Sequence, residues 1–434
     1  MTTPSRSHIR WFRNTAPYIN LHRGKTFVLM LGGEVAQHEN FANIIHDIAL
    51  LKSLGVKLVL IHGSRPQIAA RMEKAGLQSS FHHDVRITDN DAMEHVKDAA
   101  GSLRAQIEAL LSKGLPNSPM QGSRMRVCSG NFVTAKPIGV VNGVDFQHTG
   151  KVRRVDTDGI HRQLQDDSIV LLSPLGYSPT GEILNLALED IAVNCAAAVG
   201  ADKLILFGEE SGIVDEQGQL IRQLAVNELE QFSPGNAGQA SLLHTAKRAC
   251  MEGVPRCQII SYQDDCALLE ELFTHDGSGT LVANVAYESS RQADIDDVGG
   301  ILELIEPLEQ NGILLKRSRE LLEQEISRFR LLERDGRAIA CAALYPFPEE
   351  GCAELACVVT HPDYRGGQRG QRLLQELEQE ARHSGLTKVF VLSTQTAHWF
   401  LEQGFVEASR DELPDRKQAL YNLQRNSKVF FKPL

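Results

Sequence analysis

The chain has 434 residues, 42% of them hydrophobic and 23% charged, with a formal net charge of −10. That length exceeds what one core accommodates and predicts two or three domains, while the acidic balance argues against nucleic acid as a partner. No apolar run reaches membrane-spanning length, residues 1–20 are too polar for a secretory signal, and the eight cysteines show neither a C-x-x-C pair nor a disulfide framework. A cytoplasmic protein with buried thiols and no membrane association is expected.

Residues 8–20 predict a short aromatic entry helix carrying Trp11, Phe12 and Tyr18, interrupted at Pro17. An apolar strand over Thr26–Leu31 runs into Gly32-Gly33, followed by a helix over Phe41–Leu54, a strand over Val56–Ile61, the turn His62-Gly63-Ser64-Arg65-Pro66 and a helix over Gln67–Ala75. Strands Ser168–Leu172, Lys203–Phe207 and Gln258–Ser261 alternate with helices Ala187–Val199 and Ala237–Glu252. Fully apolar strands alternating with helices predict an α/β domain, an open parallel sheet covered on both faces in three layers.

The order L-G-G, H-G-x-x-P-Q-I, A-D-K-L-I-L-F-G-E-E-S-G-I and E-L-F-T-H-D-G-S-G-T resembles the amino acid kinase fold, closest to N-acetylglutamate kinase, over residues 1–285. The kinase chemistry is not expected to survive. Met30 stands where those kinases carry a lysine before the first Gly-Gly, and Gly235-Asn236-Ala237-Gly238-Gln239 offers no second lysine. Phosphoryl transfer depends on electrostatic positioning, so loss of both cations removes it. What remains resembles the arginine-regulated members: the resemblance implies an L-arginine site at Tyr18, Lys203, Glu271 and Gly277, where a carboxylate and free carbonyls suit a guanidinium.

Residues 286–297 lose hydrophobic period and read as a linker. Beyond them, a helix over Val298–Leu308, a second helix capped by Ser318, and strands Phe329–Glu333 and Ala338–Tyr345 around Asp335-Gly336 lead to C-A-E-L-A-C-V-V-T-H-P, where Leu355, Cys357 and Val359 alternate with Ala356, Val358 and Thr360. Arg365-Gly366-Gly367-Gln368-Arg369-Gly370 then opens an amphipathic helix bearing Leu373, Leu374, Leu377 and Ala381. A basic, Gly-rich turn between strand and helix is a pyrophosphate cradle. Strand Lys388–Leu392, helix Thr396–Gln403, Gly404-Phe405 and strand Ser427–Lys432 complete the chain.

This succession over residues 298–434 resembles the α+β GNAT acetyltransferases, and the two folds in this order have the layout of the bacterial two-domain N-acetylglutamate synthases. The resemblance implies transfer of acetyl from acetyl-CoA to the α-amine of L-glutamate, with no metal, as the first step toward arginine, feedback inhibition by L-arginine, and a homo-oligomer, a ring-like hexamer. It implies Glu354 as base, Ser393 as acid for the leaving thiolate, and Arg317 (or its neighbour Lys316) with Arg425 for the substrate carboxylates. Coenzyme contacts are implied at Cys357, Val358, Val359, Arg365, Gly366, Gly367, Gln368, Arg369 and Gly370. Gln368 occupies the family's inner glycine position, and Phe400 replaces the Tyr that many GNAT enzymes use as acid. Cys357 near the substrate allows an acetyl-enzyme route beside direct transfer, though no His is placed to activate it. The alternatives are an arginine sensor with an inert acetyltransferase domain, and an acetylglutamate kinase.

Overall fold

The computed structural model describes residues 13, 15–83, 85–113, 122, 125–215, 217–229, 232, 234–274, 276–284, 288–334, 337–365, 368–394, 396–419 and 427–434. The chain divides into two compact units, Met1–Val285 and Ala286–Leu434.

The first unit is built on an eight-stranded sheet. From edge to edge its strands are Gln223–Ala225, Thr280–Ala283, Arg256–Ser261, Lys203–Gly208, Thr26–Leu31, Lys57–His62, Ser168–Leu172 and Arg126–Cys128. All neighbours are parallel except Arg256–Ser261 with Thr280–Ala283. Successive strand residues enter opposite cores, because side chains alternate across a sheet. Val28, Met30, Leu204 and Leu206 pack with helices Leu188–Ala198 and Ala237–Met251 on one face. Phe27, Leu29, Leu31 and Ile205 pack with Phe41–Ser53 and Ala267–Phe273 on the other. Both faces are therefore covered, which is why the strands read as unbroken apolar runs.

This unit has two features beyond the elements expected above. The 22-residue helix Asn90–Leu111 is capped by Asp89, whose carboxylate accepts the Ala92 N–H. Strands Val133–Pro137, Thr149–Val155, Leu175–Tyr177 and Ile183–Leu186 close a small barrel.

The second unit has a seven-stranded sheet in the order Glu288–Gln292, Phe329–Arg334, Arg337–Phe347, Cys352–Thr360, Lys388–Ser393, Lys428–Pro433, Val406–Ala408. The segment expected as a linker is corrected here: Glu288–Gln292 is the edge strand, antiparallel to Phe329–Arg334. Its sequence, E-S-S-R-Q, has no apolar face because an edge strand outside the core needs none. The expected Asp335-Gly336 turn lies outside the described residues. Helix Arg369–His383 buries Leu373, Leu374, Leu377 and Ala381 against one face of the sheet, and Val298–Gln310 buries Ile301, Leu304 and Ile305 against the other. Each such leucine contributes roughly 1.5–3 kcal/mol by leaving water. Among the described residues no helix is long and apolar enough to cross a membrane, and no group of His, Cys, Asp and Glu is placed to hold a metal.

Candidate active site

Strand Cys352–Thr360 is not the regular strand its alternation suggests. Ala356 pairs with Ala343 and Val359 with Cys341, so Cys357 and Val358 together face the single residue Ala342. This is a β-bulge, and Cys357 sits in it at φ +52°. The extra residue reverses the parity of the strand. Leu355 packs toward helix Arg369–His383, whereas Cys357 and Val359 pack toward Val298–Gln310, so the predicted Leu355/Cys357/Val359 face does not exist.

On its other edge, the same strand pairs with Lys388–Ser393 only from Cys352–Lys388 to Glu354–Phe390. Beyond that point the two parallel strands part. Backbone groups of residues 355–360 that face the gap have no sheet partner there, and they are strong hydrogen-bonding groups looking for one. The gap opens a cavity of about 730 Å³ lined by residues of both strands, including Cys357, Val358, Val359 and Ser393, and by Arg365, Gln368, Arg369 and Gly370 of the basic turn.

The turn meets the helix Arg369–His383 with Gln368 as N-cap residue in the left-handed region, φ +55°, and no side-chain cap. The first backbone N–H groups of such a helix have no intrahelical acceptor and carry the positive end of its dipole. Left-handed φ is what glycine adopts freely, which gives the physical reason for a glycine at this place in the family pattern. Gly370 is held by close approach instead: a Cβ there would lie 3.3 Å from the Trp399 ring. Arg365 is exposed on the cavity wall. Arg369 points elsewhere, its Nε 2.9 Å from both Glu288 oxygens and its Nη1 donating to the Tyr364 carbonyl at 2.8 Å. Its guanidinium therefore ties the turn to the edge strand. Gly366 and Gly367 lie outside the described residues, as does Arg425.

Glu354 is buried, 7% exposed, on the face of Cys352 and Ala356 rather than that of Leu355. Its Oε2 lies 2.6 Å from Lys417 Nζ. Tyr345 is its cross-strand partner and donates its hydroxyl to Glu325 at 2.8 Å. Arg317 joins this group. Burial pulls its pKa down, but Cys357, Tyr345 and Glu354 outweigh that and raise it. Its backbone N–H donates to Glu309 at 2.9 Å, fixing the segment. Lys316 is exposed. The Cys357 thiol is pushed up to about 11 by burial, with Arg317 opposing and Glu354 adding to the rise. It is therefore a neutral thiol at neutral pH, poorly suited to nucleophilic attack.

Ser393 closes its strand at the mouth of the gap. Its Oγ accepts the Thr396 N–H at 3.0 Å and lies 2.8 Å from the Thr396 hydroxyl. Phe400, at the place of the missing Tyr, is buried edge-on against Trp399 and Phe405.

In the first unit, the four residues expected to take arginine gather around helix Ala267–Phe273. Glu271 Oε2 accepts the N–H groups of Ser278 and Gly279, each at 2.9 Å. Burial raises its pKa against those hydrogen bonds and the charges of Lys203 and Arg222. Gly277 has φ +65°, and a Cβ on it would lie 2.5 Å from Glu271 Oε2, so any other residue would be strained and would displace the carboxylate. Lys203 is buried with Nζ 5.8 Å above the Phe27 ring, and Tyr18 packs on the same cluster. Arg222 was not singled out by sequence, where it is one more arginine in a polar stretch; its Nη1 donates to the Gly277 carbonyl at 2.7 Å. A guanidinium thus already satisfies that carbonyl.

A second cleft of about 670 Å³ lies at Gly32, Gly33, Gly63, Ser64, Arg65, Asn185 and Glu189. Met30 is buried in the core beneath it, and Gln239 is hydrogen-bonded to Glu210.

Comparison with known proteins agrees with both units. The Amino acid kinase family matches residues 25–261 and the Acetyltransferase (GNAT) family residues 300–405. The amino-acid acetyltransferase of Ectopseudomonas mendocina is 57% identical over 429 residues, 98% of this chain and 99% of that one. The chain belongs to the amino-acid acetyltransferase family. The crystal structure of N-acetylglutamate synthase from Neisseria gonorrhoeae complexed with coenzyme A and L-arginine matches with a TM-score of 0.90 at 37% identity, covering 98% of this chain and 99% of that one. The same enzyme complexed with coenzyme A and N-acetyl-glutamate matches with a TM-score of 0.63 at 38% identity and the same coverage. An amino acid kinase-like unit followed by a GNAT unit is the family's architecture, and the corrected edge strand and the bulge belong to the second of these.

Proposed function

We infer that the protein transfers the acetyl group of acetyl-CoA to the α-amine of L-glutamate, giving N-acetyl-L-glutamate and coenzyme A, with L-arginine as effector. The observation that carries this reading is the parted pair of parallel strands beside the Cys357 bulge. It leaves unpaired backbone groups along a cavity of about 730 Å³. An adjacent helix start offers its free N–H groups to a pyrophosphate. The related Neisseria enzyme is complexed with coenzyme A, N-acetyl-glutamate and L-arginine, which are the two products and the effector of this reading.

In this reading residues 365–370 hold the coenzyme's pyrophosphate, with Arg369 acting through its backbone while its side chain anchors the turn to Glu288. Unpaired N–H groups around Cys357–Val359 hold the thioester oxygen and take up the charge that develops on it. Arg317 and Arg425 bind substrate carboxylates, with Lys316 as the exposed neighbour. Glu354 removes a proton from the incoming ammonium, directly or through one water. Ser393, held by the Thr396 N–H and hydroxyl, is the group assigned to protonate the leaving thiolate. Direct transfer is favoured because the buried Cys357 thiol stays protonated. Residues 1–285 form a regulatory domain without kinase activity, reading arginine through Tyr18, Lys203, Glu271 and Gly277 as the pathway's feedback inhibitor. Eight cysteines and the absence of a long apolar helix among the described residues support a cytoplasmic location, and assembly as a ring-like hexamer is part of the same proposal.

A thiol-release assay with acetyl-CoA and glutamate tests the activity, and a lack of turnover by the wild type removes the reading. Titration calorimetry with arginine tests the effector, light scattering the oligomer. ADP formation from ATP and N-acetylglutamate would revive the kinase alternative, which Met30 and Gln239 oppose.

A further inference from the structure

The Glu354 carboxylate already holds an amine. Lys417 Nζ lies 2.6 Å from Glu354 Oε2, and the two side chains are only 20% and 9% exposed. The short helix Asp415–Ala419 that carries Lys417 is no loose tail. Leu413 just before it is buried among Cys352, Phe390 and Val429, on the Glu354 side of the sheet. Gln418 Nε2 donates to the carbonyls of Asp411 at 3.0 Å and Leu413 at 2.8 Å, which fixes the turn. Arg317 and Cys357 face the same carboxylate, and Tyr345 lies opposite it across the strand.

Two other lysine–glutamate pairs in the same unit show what is particular about this one. Lys428 and Glu407 meet at 3.0 Å on the surface, 59% and 54% exposed. Lys432 and Glu378 meet at 2.6 Å and are nearly as buried as Lys417 and Glu354, 22% and 5% exposed. Glu378 sits on helix Arg369–His383, and none of Lys432, Glu378, Lys417 and Glu354 is itself on the cavity wall. Only the Lys417 pair stands on the strand whose next six residues, Leu355–Thr360, wall the cavity. A primary ammonium held against that carboxylate, one residue from the cavity wall, is in the chemical state required of an incoming acetyl acceptor.

We propose that Lys417 is a self-acetylation site, modified by the protein's own active site when acetyl-CoA is present and the amino-acid substrate is not. This rests on reading Glu354 as the base of an acetyl-CoA-dependent transferase. Glu354 takes a proton from the Lys417 ammonium, and the freed Nζ lone pair forms an N–C bond to the thioester carbonyl carbon. The tetrahedral adduct collapses with cleavage of the C–S bond. The second amine proton leaves with the thiolate, so the products are N-acetyl-lysine, coenzyme A as its thiol, and one proton returned from Glu354 to solvent. The product amide is neutral and cannot repeat the step, which limits the reaction to one acetyl group per chain. It also cannot form the ion pair with Glu354. Glutamate, whose ammonium needs the same carboxylate, competes with Lys417 and protects it.

The full-length protein, treated with a deacetylase and repurified, is incubated with acetyl-CoA alone and acetylation is quantified by peptide mass spectrometry at Lys417, Lys428 and Lys432. Glutamate turnover is measured on the same preparation by thiol release. Lys417 should react at least about tenfold faster than Lys428 and Lys432, the gain expected from proximity. Saturating glutamate should suppress it, and Glu354→Gln should slow it about a hundredfold while leaving the Lys428 background alone. Suppression by glutamate is read on the wild type, so it stands even where Glu354→Gln folds poorly. Glutamate turnover with Lys417 no faster than Lys432, or unprotected by glutamate, overturns the proposal and leaves the transferase reading intact. Loss of glutamate turnover as well removes both.

Discussion

The two units each carry a cleft of similar size, about 670 Å³ in the first and about 730 Å³ in the second, and they have gone opposite ways. The first keeps the outline of a phosphoryl-transfer site but has no lysine at residues 30 or 239, the two places the kinase pattern supplies a cation. Met30 is buried as an ordinary core residue, and Gln239 spends its side chain on Glu210. The second keeps the chemistry by distorting its own scaffold: a bulge, a parted pair of strands and a left-handed residue break regular pairing where a ligand can replace it. Volume says little about activity, since the difference between the clefts lies in which polar groups are left for a ligand.

The largest test of that contrast is Glu354→Gln. Removing the proposed general base should lower turnover about a hundred- to ten-thousandfold while coenzyme affinity, which we assign to residues 365–370, stays put. Stopped-flow thiol release and coenzyme titration separate the two, and an unchanged turnover number would assign the base to another residue.

A smaller effect is expected in the first unit, whose proposed arginine site lies at Glu271 and not in its cleft. Glu271→Ala removes a buried carboxylate bound to two backbone N–H groups. A guanidinium lost from a charged partner costs about 1.5–3 kcal/mol, so arginine affinity should fall roughly ten- to a hundredfold in calorimetry. Glutamate acetylation without arginine should be little changed. Arginine heat that survives Glu271→Ala and vanishes in a variant of the Gly33–Gly63 cleft would reverse the assignment of the two sites.

Gln368 offers a finer measurement. At φ +55° it occupies backbone space that costs a side-chain-bearing residue roughly 1–2 kcal/mol, partly returned by the greater chain entropy of glycine. Gln368→Gly should therefore stabilise the protein by about 0.5–1 kcal/mol and leave the coenzyme KM equal or lower. A higher KM would mean that the Gln368 side chain itself contacts the coenzyme.

What the sequence made legible follows from how local each feature is. Apolar strands and the stripe Leu373, Leu374, Leu377 and Ala381 are patterns within one element, and the structure has them as the sequence predicts. The bulge was hidden because Leu355, Cys357 and Val359 alternate perfectly on paper; it exists only relative to strand Arg337–Phe347. The edge strand Glu288–Gln292 carries no apolar signal. Arg222 and Lys417 join their sites through long-range contacts that no spacing announces. The Asn90–Leu111 helix is a different matter: its Asp89 cap and the period of Met93, Val96, Ala100, Leu103 and Ile107 are visible in the sequence alone.

The smallest effect concerns stability rather than catalysis and belongs to the first unit alone. Asp47, on helix Phe41–Ser53, is pushed up to about 7 by burial and by the nearby charge of Asp265. An unfolded aspartate titrates near 3.9, so between about pH 4 and 7 the folded chain holds a proton that the unfolded chain has released. Stability must fall as pH rises through that window and level off above it. Asp47→Asn mimics the protonated form. It should be neutral at pH 4 and stabilising at pH 8, by on the order of 0.5 kcal/mol after allowing for solvent screening at this partly exposed position. Scanning calorimetry of the full chain should show one transition rising by about 1–2 °C at pH 8 with no matching rise at pH 4. A shift of equal size at both pH values would mean that Asn improves packing and that the Asp47 charge is not what the fold resists.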